Sequence, residues 1–229
     1  MKQIKASELI LFMQIKENVS FVKKQIAEAC EKTKRDEKKI TIIGVTKTRS
    51  IKEIQELVNA GVKNVGENKA QELESKFIEL KKLDVQIHFI GHVQSNKAKK
   101  IVEMADYIHS VDSLKLLKKI NSSAKEIGKV QNIFLEINSG EEEKYGLEYK
   151  DADALLEEAK KMKNINVLGL MTMAPFTENK EVIRECFLKL KEKSYSIGLK
   201  ELSIGMSNDY KIAVEEGATF LRIGTRLFE

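Results

Sequence analysis

No tryptophan occurs in the chain, and proline appears once, cysteine twice, histidine three times and arginine five times in 229 residues. Each shortage removes a class of protein. Cys30 and Cys186 lie far apart, each inside a helical pattern, so neither a disulfide framework nor a thiolate metal site is spelled. They read as small buried hydrophobes of a reducing cytosol. His88, His92 and His109 have no metal-ligand spacing. Arginine is the preferred residue for bidentate phosphate and base recognition, so five of forty basic residues argue against a nucleic-acid surface. The net charge of +5 is 40 Lys+Arg against 35 Asp+Glu, interspersed in sign. Long apolar runs are also missing. The N-terminal stretch Leu9 to Met13 is too short for a signal-peptide core or a membrane span, and a cytoplasmic protein without membrane contact is expected.

What remains is 42% hydrophobic and 33% charged, the composition of a soluble globular protein. No composition break divides it, so residues 1–229 are expected to form one domain. The first 38 residues read as a long helix, with Leu11, Ile15, Val19, Val22 and Ile26 on one face. The run Ile40 to Val45 carries apolar residues on both faces, like a strand of a parallel sheet covered by helices. Seven further short apolar runs follow: Val62–Val65, Gln86–Ile90, Tyr107–Val111, Gln131–Ile137, Ile165–Met171, Leu202–Ile204 and Thr219–Ile223. Helical patterns separate them. Ser50 and either Asp112 or Ser113 serve as N-caps, Gly61 and Gly128 as stops, and Gln94 and Asn208 open further helices. Eight strands alternating with helices in this length close most naturally into a (β/α)8 TIM barrel with an extra N-terminal helix. An open doubly wound sheet is the alternative, but no GxGxxG follows the first strand.

In such a barrel ligands bind at the carboxyl ends of the strands, and phosphate is often held after strands 7 and 8. Lys47 stands where the first strand runs out. Alone, in a chain with 40 Lys+Arg, it reads first as one more solvated lysine. After strand 7 come Gly205-Met206-Ser207, which open a helix, and after strand 8 come Gly224-Thr225. Backbone N–H groups, a glycine and a hydroxyl in adjoining loops form an anion cup. A lysine and a phosphate cup suit a molecule that is an aldehyde at one end and a phosphate at the other, such as pyridoxal phosphate, because the neutral amine of a lysine condenses with an aldehyde.

The segments Val45-Thr46-Lys47-Thr48, Val65-Gly66-Glu67-Asn68, His88 to Lys97, Gly169 to Ala174, Leu202 to Asp209 and Arg222-Ile223-Gly224-Thr225 resemble, in this order, the signature set of the pyridoxal phosphate homeostasis protein family. That family is similar to the N-terminal barrel of alanine racemase. The resemblance implies pyridoxal 5′-phosphate on Lys47 as an internal aldimine. It implies phosphate held at Met206, Ser207, Asn208, Gly224 and Thr225, with Asn68 near the ring's polar edge and Arg222 at the pyridine nitrogen. A donor-only arginine there leaves the nitrogen unprotonated, which weakens the ring as an electron sink.

The racemase also uses a tyrosine from a second domain of its partner subunit, and 229 residues leave no length for such a domain. The expected function is therefore to hold and deliver the cofactor, maintaining vitamin B6 homeostasis without robust catalysis. Apo-enzymes that receive the cofactor are the implied partners, and the state is a monomer or weak dimer. The alternatives are a pyridoxal-phosphate racemase or decarboxylase, or a barrel acting on a sugar phosphate through a Lys47 Schiff base alone. Three minor roles are expected as well. His88 and His92 are satisfied by neighbouring backbone, Glu67 caps the helix after strand 2, and Met171 and Met173 are core or pocket wall. The charged loop Asn138 to Lys150 has no assignable role.

Overall fold

The strands Thr41–Val45 (β1), Asn64–Glu67 (β2), Gln86–Phe89 (β3), Tyr107–Val111 (β4), Gln131–Glu136 (β5), Ile165–Met171 (β6), Glu201–Ser203 (β7) and Phe220–Ile223 (β8) pair in chain order. All pairings are parallel. β8 returns to β1 through the register Thr41↔Phe220 to Gly44↔Ile223, which closes the barrel. This computed structural model describes residues 6–140 and 145–229. Leu9–Met13 therefore falls inside the first helix, and Glu141 to Lys144 of the charged loop lie outside the described residues.

Helices Ile51–Asn59 (α2), Ala70–Lys82 (α3), Ala98–Met104 (α4), Leu114–Glu126 (α5), Ala152–Lys160 (α6), Lys180–Ser196 (α7) and Tyr210–Glu216 (α8) occupy the crossovers. A long Ala6–Lys32 helix (α1) precedes the barrel, and the short Thr225–Phe228 (α9) follows it. The caps form where the sequence places them. Ser50 and Glu53 make a reciprocal capping box, and Ser113 Oγ accepts from Leu116 N–H. α1 buries Ile15, Val19, Val22 and Ile26 against the outside of the barrel, packing on α8, α9 and α2. It thereby covers the seam where β8 meets β1.

Two helices start later than the sequence suggests. Gln94–Lys97 forms a tight turn, with Lys97 N–H donating to the Gln94 carbonyl, so α4 begins at Ala98. The Met206 carbonyl accepts from both Asp209 and Tyr210 N–H, so α8 begins at Tyr210.

Strand alternation sends one set of side chains outward to the helices and the other into the barrel. Contacts between strands that are not neighbours identify the inward set. Phe134 of β5 packs on Phe220 of β8, and His109 of β4 meets Ser203 of β7. Ile133 and Leu135 belong to the outer layer under the helices. The interior is unusually polar for a barrel, whose inner layers are dominated by branched aliphatics. Asn64, His88, His109, Ser203 and Arg222 all point inward and bond to one another.

Candidate functional site

Lys47 lies at the carboxyl-terminal face, as expected, but two residues beyond β1 and exposed, in the turn Thr46–Arg49 closed by Arg49 N–H to the Thr46 carbonyl (3.0 Å). It does not sit in an apolar mouth. What the sequence does not disclose is how firmly this turn is held. Thr46 is buried, and its hydroxyl donates to Glu67 Oε1 at 2.7 Å. Lys76 of α3 donates to the same oxygen (2.7 Å) and to the Thr46 carbonyl (2.8 Å). On the other side of Lys47, Thr48 N–H donates to Glu72 (3.0 Å). Thr48 adopts φ +63°, a conformation uncommon for a β-branched residue and of the kind that marks a functional constraint. Glu67 is thus a buried clamp and not a cap. α3 is preceded by Lys69, whose side chain makes no capping bond.

The loops after β7 and β8 do come together. Ser207 Oγ accepts from Gly224 N–H (3.2 Å) and Arg226 N–H (3.4 Å), which ties the two loops and leaves its own proton to donate outward. Met206 N–H is engaged by the Asp209 carboxylate, so it is not an open anion donor. Gly205 has φ +91°, and a Cβ there would lie 2.5 Å from Ala213 Cβ, so only glycine fits this corner. Asn208 and Thr225 are exposed at the rim. A Cβ on Gly224 would lie 3.4 Å from Val45 Cβ, so the tied loops abut the end of the strand that leads to Lys47.

Arg222 is 4% exposed and donates to the Ser203 carbonyl (2.5 Å), Ser203 Oγ (2.7 Å) and the Thr172 carbonyl (2.9 Å). Burial lowers its guanidinium to about 10, with Asp209 and Glu136 opposing the shift, so it stays cationic at neutral pH. Glu136 ends β5. Burial pushes its carboxyl up to about 7, Asp112 adds to the rise and Arg222 opposes it. The folded chain therefore prefers the neutral acid. That contribution to stability is complete below the unfolded value of 4.5 and is lost as pH rises through about 7. Glu136→Gln should consequently stabilise the protein at pH 8 by roughly 3 kcal/mol and leave it unchanged near pH 4, in urea unfolding at both pH values. Equal effects at the two pH values would contradict this reading.

The remaining expected residues are scattered. Asn68 lines a cavity of about 340 Å³ beside the mouth with His92, Gln94 and Lys97, and its buried Oδ1 has no hydrogen-bond partner. Packing of Gly91 onto the Asn68 backbone, 2.0 Å from a would-be Cβ, shapes that corner. His88 is not satisfied by backbone. Its two nitrogens meet the His109 and Asn64 side chains, which point into the barrel beside it. His92 likewise pairs with Asp112 (3.6 Å) and stacks on Tyr145 of the charged loop (3.7 Å). Met171 is buried and Met173 partly buried, consistent with core or pocket wall. Glu136, Asp112, Lys76 and the inward His109–Ser203 pair were not foreseen. For Glu136, His109 and Ser203 the one sequence signal is a polar residue at an inward position of a strand; Lys76 on α3 and Asp112 beyond β4 carry no such signal.

A closed parallel barrel of eight strands, with the candidate residues gathered at its carboxyl-terminal face, is a TIM barrel. The family model described as "Alanine racemase, N-terminal domain" matches residues 13–229, and the chain belongs to that family. Within it, this is a member of the pyridoxal phosphate homeostasis proteins. The protein of that name from Aquifex aeolicus (strain VF5) is 41% identical over 219 residues, covering 93% of this chain and 96% of its own. A crystal structure of an unknown protein from Bifidobacterium adolescentis superposes with TM-score 0.91 at 31% identity, over 100% of this chain and 98% of that one. PipY of Synechococcus elongatus PCC7942, solved with PLP bound, superposes with TM-score 0.80 at 33% identity, over 89% and 100%. Among the described residues, no helix is long and apolar enough to cross a membrane.

Proposed function

We propose that this barrel binds pyridoxal 5′-phosphate covalently through Lys47 and holds it for delivery, so that vitamin B6 vitamers stay in balance. The observation that carries the reading is the abutment of Gly224 on Val45, which sets the tied β7 and β8 loops beside the lysine turn. The donor set fits the molecule. An accessible primary amine suits an aldehyde, a free hydroxyl proton on Ser207 with rim N–H groups suits a phosphate dianion, and a buried donor-only cation suits an unprotonated ring nitrogen. The cofactor supplies an electron-withdrawing ring when bound. Arg222 keeps that ring nitrogen unprotonated, Ser207 orients the phosphate, and the Glu67–Lys76 clamp holds the turn from which Lys47 reaches. PipY, a relative at 33% identity solved with PLP, supports the same reading. Phosphate contacts at Ser207, Asn208 and Thr225, with Gly224, whose N–H is engaged by Ser207 Oγ, allowing close backbone approach, and Asn68 toward the ring, belong to this proposal. Met206 would contribute its carbonyl-anchored turn and not a donor. The chain is proposed to act as one domain, as a monomer or weak dimer, with apo-enzymes as recipients.

Purified protein reconstituted with the cofactor should show a visible absorption band that Lys47→Ala abolishes. A colourless wild-type protein would sink the proposal. One observation favours a second reading, an amino-acid racemase: Glu136 titrates near 7, where a general acid or base works best. Solvent deuterium exchange at the α-carbon of L-amino acids decides between them. Turnover at an enzyme-like rate favours the racemase, and slow or absent exchange favours the carrier.

A further inference from the structure

We propose that Ser203, His109, His88 and Asn64 form a one-way hydrogen-bond chain across the barrel interior that positions Arg222. The links are Arg222 Nη1 to Ser203 Oγ (2.7 Å), Ser203 Oγ to His109 Nδ1 (2.8 Å), His109 Nε2 to His88 Nδ1 (2.9 Å) and His88 Nε2 to Asn64 Oδ1 (3.0 Å). Its direction follows from what each group can do. Arginine only donates, so Ser203 Oγ accepts from it and must place its single proton elsewhere. His109 Nδ1 is the acceptor within reach, which leaves the proton of His109 on Nε2. His88 then accepts at Nδ1 and donates from Nε2 to the Asn64 carbonyl oxygen. Run the other way, with the Asn64 amide donating, the chain delivers two donors to Ser203 Oγ and gives the hydroxyl proton no acceptor in the chain.

Both imidazoles are held neutral, as this scheme requires. Burial pushes His88 down to about 3, and burial drives His109 well below its ordinary value, with His88 and Arg222 adding to the shift. The ring planes are also fixed. His88 stacks on Tyr107 (4.3 Å, 8°), His109 stacks on Phe134 (4.4 Å, 21°), and Phe220 lies within ring contact of both. A polar chain in a barrel core is costly unless every member is bonded, and hydrogen bonds in series strengthen one another. The result is a long, otherwise flexible side chain locked in one plane, with two of its bonds on Ser203 and one on Thr172. These four are positioning residues. That Arg222 faces a cofactor ring rests on the function proposed above; that it is held by this chain does not.

The test begins on the cofactor-free protein. In ¹⁵N-labelled wild type at neutral pH, long-range imidazole spectra should assign both His88 and His109 as the Nε2–H tautomer. An Nδ1–H tautomer or a cationic ring at either position overturns the chain, and no variant is needed. The slowly exchanging Arg222 Nη1 proton bonded to Ser203 Oγ should be visible in wild type, lost in Ser203→Ala and restored in Ser203→Thr, while the Nη protons on the Ser203 and Thr172 carbonyls stay. An unchanged set of Nη signals in a folded Ser203→Ala protein overturns the positioning role. In reconstituted protein, Ser203→Ala should retain the cofactor roughly tenfold less well than wild type, with rescue by Ser203→Thr. A merely structural role would lower stability while leaving retention by the folded fraction unchanged. If wild type stays colourless the cofactor reading fails, and the tautomers still decide the chain.

Discussion

Lys76→Met should cost about 3–5 kcal/mol of stability, measured by guanidinium unfolding, because it strips the counter-charge from a carboxylate fully enclosed by protein. Glu67 is 0% exposed and Lys76 donates to its Oε1 at 2.7 Å. The other oxygen, Oε2, is buried with no hydrogen-bond partner, so the carboxylate already has little to spare. Removing one member of a buried pair is far more damaging than removing both. The double variant Lys76→Met/Glu67→Gln should therefore recover most of the loss, since the amide is neutral and its oxygen can still accept from Thr46 Oγ1. A single-variant loss below about 1 kcal/mol would mean that water reaches Glu67 and that the clamp is not a buried ion pair. The effect extends to the lysine turn, because the ammonium of Lys76 also holds the Thr46 carbonyl that Arg49 N–H shares.

Ser207→Ala combined with Thr225→Ala should weaken cofactor retention by roughly 10²- to 10⁴-fold. The phosphate would lose two hydroxyl donors of charge-assisted bonds worth about 1.5–3 kcal/mol each. The structure sharpens the share of each residue. Ser207 Oγ accepts two backbone N–H groups and so aims its proton outward, whereas Thr225 stands exposed at the start of α9. Ser207→Ala alone should account for the larger part, because it also unties the β7 and β8 loops. Equilibrium dialysis of reconstituted protein followed by absorbance reads the effect. Retention equal to wild type would place the phosphate elsewhere, with the cavity lined by Asn68, Gln94 and Lys97 as the next location to test.

Strand order, helix caps and the likeness to a known barrel were legible from residues alone because each rests on neighbours in the chain. Ser50 finds Glu53 three residues away, and α1 shows its stripe at intervals of three and four. Lys47, Ser207 and Arg222 could be singled out because they end strands whose places in a barrel follow from counting. Helix starts were less legible. Gln94 and Asn208 have the composition of a first turn, but Lys97 and Asp209 close tight turns on them first.

The sequence by itself determined the periodicities, the eightfold alternation and which residue types meet at the carboxyl-terminal face, since these depend on local propensity and strand polarity. Only the tertiary structure decided who partners whom inside the barrel. Asn64, His88, His109, Ser203 and Arg222 come from five strands, and Glu67 finds Lys76 on a helix face. A side chain's inward direction follows from strand alternation, but its partner is set by closure of the sheet. Closure brings β4 within side-chain reach of β7 across the interior and β8 beside β1, and no local interaction along the chain encodes those distances.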